Sequence, residues 1–152
     1  MREDFAFFHR LRVRWSEVDM QKVVFNGNYF NYFDFSVYES WRAMLTAGLV
    51  RQGAGLKERF DAWMHNIYVV KASAEYHGSA RFDDELDVGV RVARLGRSSM
   101  RVLLEIHRTD EHLVTGELIY VYKDPVANAP APLPDEFRRL ITEFEKLQPE
   151  GA

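Results

Sequence analysis

Residues 19–29 read Asp-Met-Gln-Lys-Val-Val-Phe-Asn-Gly-Asn-Tyr, and this stretch joins a strand-like run to a strongly apolar segment. Gly27 and Asn28 predict a helix start. The segment that follows is apolar almost all round, with few charged positions, and its apolar members are Tyr29, Phe30, Tyr32, Phe33, Phe35, Val37, Tyr38, Trp41, Met44 and Leu45. A helix of this kind belongs in a protein core. The stretch therefore predicts a lone carboxylate, Asp19, placed shortly before a buried helix.

A carboxylate in this position has two interpretations. The first N–H groups of a helix have no partners within it, and the helix dipole gives them partial positive charge. Asp19 could therefore attack a substrate or activate water while the helix end holds a developing oxyanion. An Asp between a strand and a helix is, however, more often a turn or capping residue. Spacing alone favours the structural interpretation.

The rest of the chain predicts an α+β order. Alternation over residues 8–16 predicts a first strand that buries Leu11, Val13 and Trp15. The helix is expected over residues 27–47, with Gly48 as its C-terminal stop. Residues 51–61 are predicted to form a polar, Gly-containing connection with room for one helical turn. Four strands are predicted at 67–76, 86–95, 100–108 and 114–123, followed by a proline-rich loop and a final helix at 134–147. Alternation places Val88 on one face of its strand and Val102, Leu104 and Ile106 on one face of the next. Short links predict that the last three strands form an antiparallel meander. One sheet packed on one long helix satisfies this order.

Composition bounds the class of protein. The 152 residues are 47% hydrophobic and 28% charged, which predicts one domain over residues 1–152. A net charge of -3 gives no support for nucleic-acid binding, and no segment has the apolar length of a membrane span or the pattern of a signal peptide. The absence of cysteine excludes disulfides and thiol catalysis and agrees with a cytoplasmic location. The five histidines show no metal-ligand spacing, so no metal is expected.

Residues 19–29 and the aromatic helix after them resemble the acyl-CoA thioesterases of the 4-hydroxybenzoyl-CoA thioesterase family. Residues 75–87 resemble that family's strand-turn-strand segment, 116–124 its last strand and 133–138 its terminal helix. The resemblance implies a hot-dog fold, in which a curled antiparallel β-sheet wraps around a long central α-helix, with a short C-terminal helix. It also implies hydrolysis of an acyl- or aryl-CoA to a carboxylic acid and coenzyme A. No cofactor is expected, because coenzyme A is part of the substrate.

The same resemblance implies roles for particular residues. Asp19 becomes the nucleophile or general base, and the backbone N–H of Asn26 becomes the oxyanion donor. Substrate or coenzyme A contacts are implied for Val24, Phe25, Asn28 and Tyr29 near the helix start, and for Arg94, Arg97, Ser98 and Ser99 at a strand connection. That basic connection has an equally weighted alternative as a solvated hairpin tip.

Three positions qualify this assignment. Asp34 is the reserve catalytic acid, although a structural role is favoured for it, as a buried acid hydrogen-bonded to the sheet or to the partner subunit. Lys22 and Asn26 depart from the family pattern, which often has Gly at the first position and His or Tyr at the second. These departures leave the substrate open.

The resemblance further implies a homodimer or homotetramer with active sites at subunit interfaces. A non-catalytic acyl-CoA-binding protein on the same fold is the main alternative. A hot-dog dehydratase or hydratase is less favoured, because such enzymes use a histidine with a helix acid. No histidine lies between Asp19 and Gly48.

Overall fold

The computed structural model describes residues 2–52 and 54–152. The regular elements, in chain order, are β1 (Phe7–Arg12), α1 (Asn28–Gln52), α2 (Leu56–Met64), β2 (Ile67–Tyr76), β3 (Glu85–Leu95), β4 (Ser99–Arg108), β5 (Glu111–Tyr122) and α3 (Asp135–Phe144). Short 3₁₀ turns lie at Arg2–Asp4 and Trp15–Glu17. None of the described helices is both long and apolar enough to span a bilayer.

The five strands form one antiparallel sheet in the order β1-β3-β4-β5-β2. The last three strands are a meander, as their short connections predicted. β2, which precedes these strands in the chain, lies at the edge beyond β5. It pairs with β5 from Ile67 opposite Tyr122 to Tyr76 opposite Val114. Bulges interrupt the ladders of β2, β3 and β4, and such bulges bend and twist strands. Because of this strand order, β1 and β2 are the two edge strands of the sheet.

Alternating residues of β3, β4 and β5 and one side of α1 make up the core. Val88, Val102, Leu104 and Ile106 are fully buried, as the strand alternation predicted. A Cβ atom at Gly116 would lie 2.5 Å from the ring of Phe33, so only glycine lets this ring lie against β5. The architecture confirms the predicted fold class, an antiparallel sheet on a long helix with a short C-terminal helix.

The predicted helix end at Gly48 was wrong, and residues 51–61 are more helical than expected, for the same reason. α1 continues through Gly48 to Gln52, because Gly48 is a packing position: its Cβ would lie 2.5 Å from Leu140 of α3. Most of the expected polar connection is helix α2, which buries Leu56, Phe60 and Trp63. Gly53, also in that predicted connection, lies outside the described residues. Contacts between helices distant in sequence override both local signals.

The first strand is also shorter than predicted. It ends at Arg12, and the chain then turns into the 3₁₀ turn that contains Trp15. Val13 is buried as expected, but Trp15 is 71% exposed and lies edge-on against Phe82, with ring centroids 5.3 Å apart. The alternation of inward and outward side chains ends with the strand, before Trp15, so the predicted burial of Trp15 was wrong.

Candidate active site

Asp19 lies in a tight turn closed by a β-bridge between Val18 and Val24. Its backbone N–H donates to the Val23 carbonyl at 3.0 Å, and its carbonyl accepts from the Lys22 N–H at 2.9 Å. The Asp19 Oδ1 atom accepts from the Gln21 N–H at 2.8 Å. Within the described residues, no donor bonds Oδ2. Asp19 is therefore a turn residue whose half-buried carboxylate keeps one oxygen for chemistry.

The helix start differs in detail from the expectation. The N–H groups of Asn28, Tyr29 and Phe30 donate to the carbonyls of Phe25, Asn26 and Gly27, at 2.9, 3.3 and 3.2 Å. These i→i+3 bonds tighten the first turn and use the amides that an ordinary helix leaves unpaired. In the part of the chain that is described, the N–H groups just before them, at Asn26 and Gly27, have no acceptor. The available anion-binding donors thus lie before the helix, still at its positive end.

Glu17 joins the Asp19 turn to α1. Its carbonyl accepts from the Phe25 N–H at 3.0 Å and from the Asn28 side chain at 2.9 Å. Its carboxylate accepts from the Tyr32 hydroxyl at 2.9 Å and from the Arg14 N–H at 2.8 Å. Burial acts to raise the pKa of Glu17, but these hydrogen bonds and the Arg14 charge hold it below its usual value. Sequence reasoning missed this residue, because Tyr32 and Asn28 reach it only through folding.

The opposite side of the site is held by the connection between β2 and β3. The Val24 N–H donates to the Ala80 carbonyl at 2.9 Å, and the Ala80 N–H donates to the Tyr29 hydroxyl at 3.0 Å. The Tyr76 hydroxyl donates to the Asn26 carbonyl at 3.2 Å. Tyr76 is another positioning residue that sequence reasoning missed.

The residues predicted to contact substrate near the helix start divide into two groups. Val24 and Tyr29 are each 2% exposed, so their side chains belong to the core and position the turn. Phe25 is 56% exposed, and the half-buried Asn28 uses its side chain to bond the Glu17 carbonyl. Asn26, the predicted oxyanion donor, is also exposed. The surface next to the Asp19 turn is therefore formed by Phe25 and Asn26.

Lys22 adopts a left-handed backbone conformation, with φ of +64°. Such a conformation costs a residue with a Cβ about 1–2 kcal/mol, while glycine adopts it without strain. This explains why glycine suits the position in the pattern that the stretch resembles. The departure at Lys22 is thus a backbone departure as well as a change of side chain.

We expect Lys22→Gly to raise the free energy of unfolding by about 0.5–1 kcal/mol, since relief of strain exceeds the added chain entropy. Urea denaturation measures this change. The matched control is the neighbouring Gln21→Gly, where φ is not positive and glycine should lower stability. Destabilisation of similar size in both variants would contradict the explanation.

The basic connection lies elsewhere in the chain. Arg94, Arg97, Ser98 and Ser99 surround the β3–β4 turn, whereas the Asp19 stretch contacts the chain just before β3 begins. β3 has eleven residues, so the two regions are roughly 35 Å apart along the sheet. One chain does not bring them together.

The turn itself is well anchored. The carbonyls of Arg97 and Ser98 each accept a backbone N–H at 2.8 Å, from Leu133 and Tyr122. The Arg138 guanidinium donates to the Gly96 carbonyl and adds positive charge at the same turn. An ordered turn surrounded by arginines is suited to an anionic group.

A groove of about 840 Å³ separates α1 from α2. Its lining is mostly apolar, and its members include Val37, Tyr38, Trp41, Leu45, Phe60, Met64, Ile67 and Tyr120. Asp34 lies at this groove and is exposed, so the sheet of its own chain does not bury it. Its burial against a partner subunit stays a prediction. Burial, with a smaller contribution from the Asp34 charge, raises the pKa of Tyr120. Asp34 is six residues beyond Asn28, or roughly 9 Å along the helix.

Comparison with known proteins gives a consistent family. Residues 13–141 match the Thioesterase-like superfamily. A thioesterase from Thermus thermophilus, solved with coenzyme A and zinc, is 25% identical with a TM-score of 0.75, over 94% of this chain and 96% of its own. A Pseudomonas aeruginosa protein is also 25% identical, with a TM-score of 0.72 over 95% and 94% of the two chains.

A 1,4-dihydroxy-2-naphthoyl-CoA thioesterase from Synechocystis has the same fold at 19% identity, with a TM-score of 0.68 over 89% of this chain and 94% of its own. No curated protein matches the sequence significantly. The similarity is therefore strongest at the level of fold and superfamily.

Proposed function

Because the chain belongs to the Thioesterase-like superfamily, we propose that it is an acyl-CoA thioesterase of the 4-hydroxybenzoyl-CoA thioesterase type. It would hydrolyse an acyl- or aryl-CoA to a carboxylic acid and coenzyme A. The observation that carries the proposal is the Asp19 turn. Among the described residues, one oxygen of the Asp19 carboxylate accepts no hydrogen bond, and the N–H groups of Asn26 and Gly27 just before α1 have no acceptor. The Thermus thermophilus thioesterase, solved with coenzyme A, supports the substrate class.

The proposed reaction uses both of these groups. The thioester carbonyl oxygen accepts from the Asn26 N–H, where the helix dipole stabilises the negative charge that develops on it. Asp19 either attacks the carbonyl carbon, giving an anhydride that water then cleaves, or removes a proton from the attacking water. The C–S bond breaks and coenzyme A leaves as a thiolate. A thiolate is a good leaving group, so one carboxylate with oxyanion stabilisation is sufficient.

Thiol release from a panel of short-chain, long-chain and aromatic acyl-CoAs tests the activity. We expect release well above the uncatalysed rate for at least one class, and the panel ranks the acyl groups. Acyl-CoA binding measured by calorimetry without any thiol release would instead support the non-catalytic binding protein. If the protein neither hydrolyses nor binds any acyl-CoA of the panel, both functions are rejected.

We further propose that the enzyme is a dimer joined through β2. This edge strand exposes several large apolar side chains, namely Tyr68, Val69, Val70 and Tyr76. The other edge, β1, is short and carries Arg10 and Arg12 in ion pairs with β3 and the turn before it. Charged, short edges resist pairing, whereas a long apolar edge favours it.

Antiparallel pairing of β2 with its copy would also complete the site. The Asp19 stretch lies near the Tyr76 end of β2, and the β3–β4 turn lies near the Ile67 end. A two-fold axis between antiparallel β2 strands reverses one copy. The basic turn of one subunit then lies at the same end of the joined sheet as Asp19 of its partner. We propose that the turn's arginines bind coenzyme A phosphates there. The groove beside α1 offers an apolar surface for an acyl group.

We expect Val70→Lys to weaken the dimer roughly tenfold or more, because it replaces apolar contact at the interface with charge. Sedimentation over a range of protein concentrations measures the dissociation constant. The control is Val126→Lys, a similar change at a 93% exposed valine in a loop, which should leave association unchanged. Equal dimer stability in the two variants would exclude β2 as the interface.

A further inference from the structure

Three of the five histidines converge on the sheet face that points away from α1. Leu104 and Ile106 of β4 are in the core, so the alternate residues Glu105 and His107 point to the other face. Ile106 pairs with Val114 but His107 pairs with His112, so Leu113 is an extra residue in β5 and the shift places the two histidines opposite each other. The sequence spacing did not indicate this cluster, because the bulge and the strand pairing create it.

The donor atoms are close enough to share one ion. One ligand atom from each of Glu105, His107 and His112 lies within 4.8 Å of the others. The His107 Nε2 atom is 2.8 Å from the Glu105 carboxylate, and the rings of His107 and His112 stack with centroids 4.9 Å apart. His77, at the end of β2, has its ring 4.9 Å from that of His112.

His107 supplies an independent observation. It is 6% exposed, and its Nδ1 atom is buried without a hydrogen-bond partner among the described residues. A buried polar atom in this state is costly unless something binds it. Protein contacts therefore leave this imidazole incompletely bonded, and it can give one ring nitrogen to an ion.

We propose that Glu105, His107 and His112 bind a divalent transition-metal ion of the zinc type. Imidazole nitrogens with one carboxylate suit zinc, whereas calcium and magnesium prefer sets of oxygen atoms. The ion would fasten β4 to β5 beside the end of β2. This inference departs from the sequence expectation that no metal is bound, and it is independent of the proposed thioesterase activity.

A calorimetric titration of chelator-treated protein with Zn²⁺ tests the site. We expect about one ion per chain and a higher Tm in the bound form. His112→Asn, at a half-exposed position, should weaken binding at least about tenfold, since even outer-shell changes have effects of this size. His65→Asn is the control, because His65 is an exposed histidine at the end of α2.

Co²⁺ in place of Zn²⁺ gives a second measurement, since its visible absorption reports nitrogen coordination in a site of low coordination number. The proposal predicts this absorption in wild type and His65→Asn, and its loss in both His112→Asn and Glu105→Gln. No Zn²⁺ binding by the wild type, or equal binding by wild type and the two cluster variants, would overturn it. Equal loss in His65→Asn would do the same, by showing that scattered histidines bind the ion.

Discussion

Asp19→Asn is expected to lower kcat for acyl-CoA hydrolysis by about 10³-fold. An asparagine oxygen can still accept the Gln21 N–H that holds the turn, so the fold and the substrate surface should be retained. The amide can neither attack the thioester nor take a proton from water. Steady-state thiol release measures the rate, and thermal unfolding checks that the variant is folded.

The matched control is Asp34→Asn, the same chemical change at an exposed acid on α1. Its activity should remain within a few-fold of wild type. Equal rates for wild type and Asp19→Asn would remove Asp19 from the mechanism. A large loss in Asp34→Asn alone would transfer the catalytic role to the groove beside α1 and α2.

Stability should fall as the pH rises through the range in which Glu145 ionises. Glu145 follows α3 and is 6% exposed; its Oε1 atom accepts from the Val92 N–H at 2.7 Å, and Oε2 has no partner among the described residues. Burial raises the pKa of Glu145 from 4.5 to about 7, although the Val92 hydrogen bond acts in the opposite direction. The folded state therefore favours the protonated carboxyl.

The sign follows from linkage between proton binding and folding. The protonated Glu145 contributes its full stability below pH 4.5, and this contribution is lost as the pH rises to about 7. The difference corresponds to about 3 kcal/mol at 1.36 kcal/mol per pH unit. Glu145→Gln should match wild type near pH 4 and be more stable than wild type by about that amount at pH 8.

Urea denaturation of both proteins at pH 4, 6 and 8 gives the comparison. Carboxylates whose pKa is lowered by arginine partners, such as Asp87 and Glu117, produce the opposite slope at lower pH. They are present in both proteins, so the difference between the curves isolates Glu145. A difference that stays constant with pH would show that Glu145 does not titrate as its burial requires.

The sequence predicted those features that depend on the hydrophobic periodicity of one segment or on residues that are contiguous in the chain. The predicted bounds of β2 match the strand in the structure because its flanking signals are local, and the meander followed from short connections. The Asp19 turn and the helix start are adjacent in the chain, so one motif contains them. The wrong prediction at Gly48 came from a contact with Leu140, which no local pattern contains.

The candidate site was predictable only in part, for a related reason. The supporting residues Glu17 and Tyr76 act through partners that are brought near by folding. The distance between Asp19 and the basic turn also depends on the fold, because β3 separates them. The histidine cluster depends on one extra residue in β5, Leu113, which shifts the register so that His112 lies opposite His107. Strand register, rather than residue type, was the missing information.

The separation of Asp19 from the basic turn along one sheet has a genetic consequence. In the proposed dimer, each chain contributes Asp19 to one site and Arg94 and Arg97 to the other. Asp19→Asn and a variant with both arginines replaced by glutamine would then each impair both sites of their own homodimer. Mixed dimers would contain one site with neither change, so combining two weakly active proteins would restore part of the activity by intersubunit complementation.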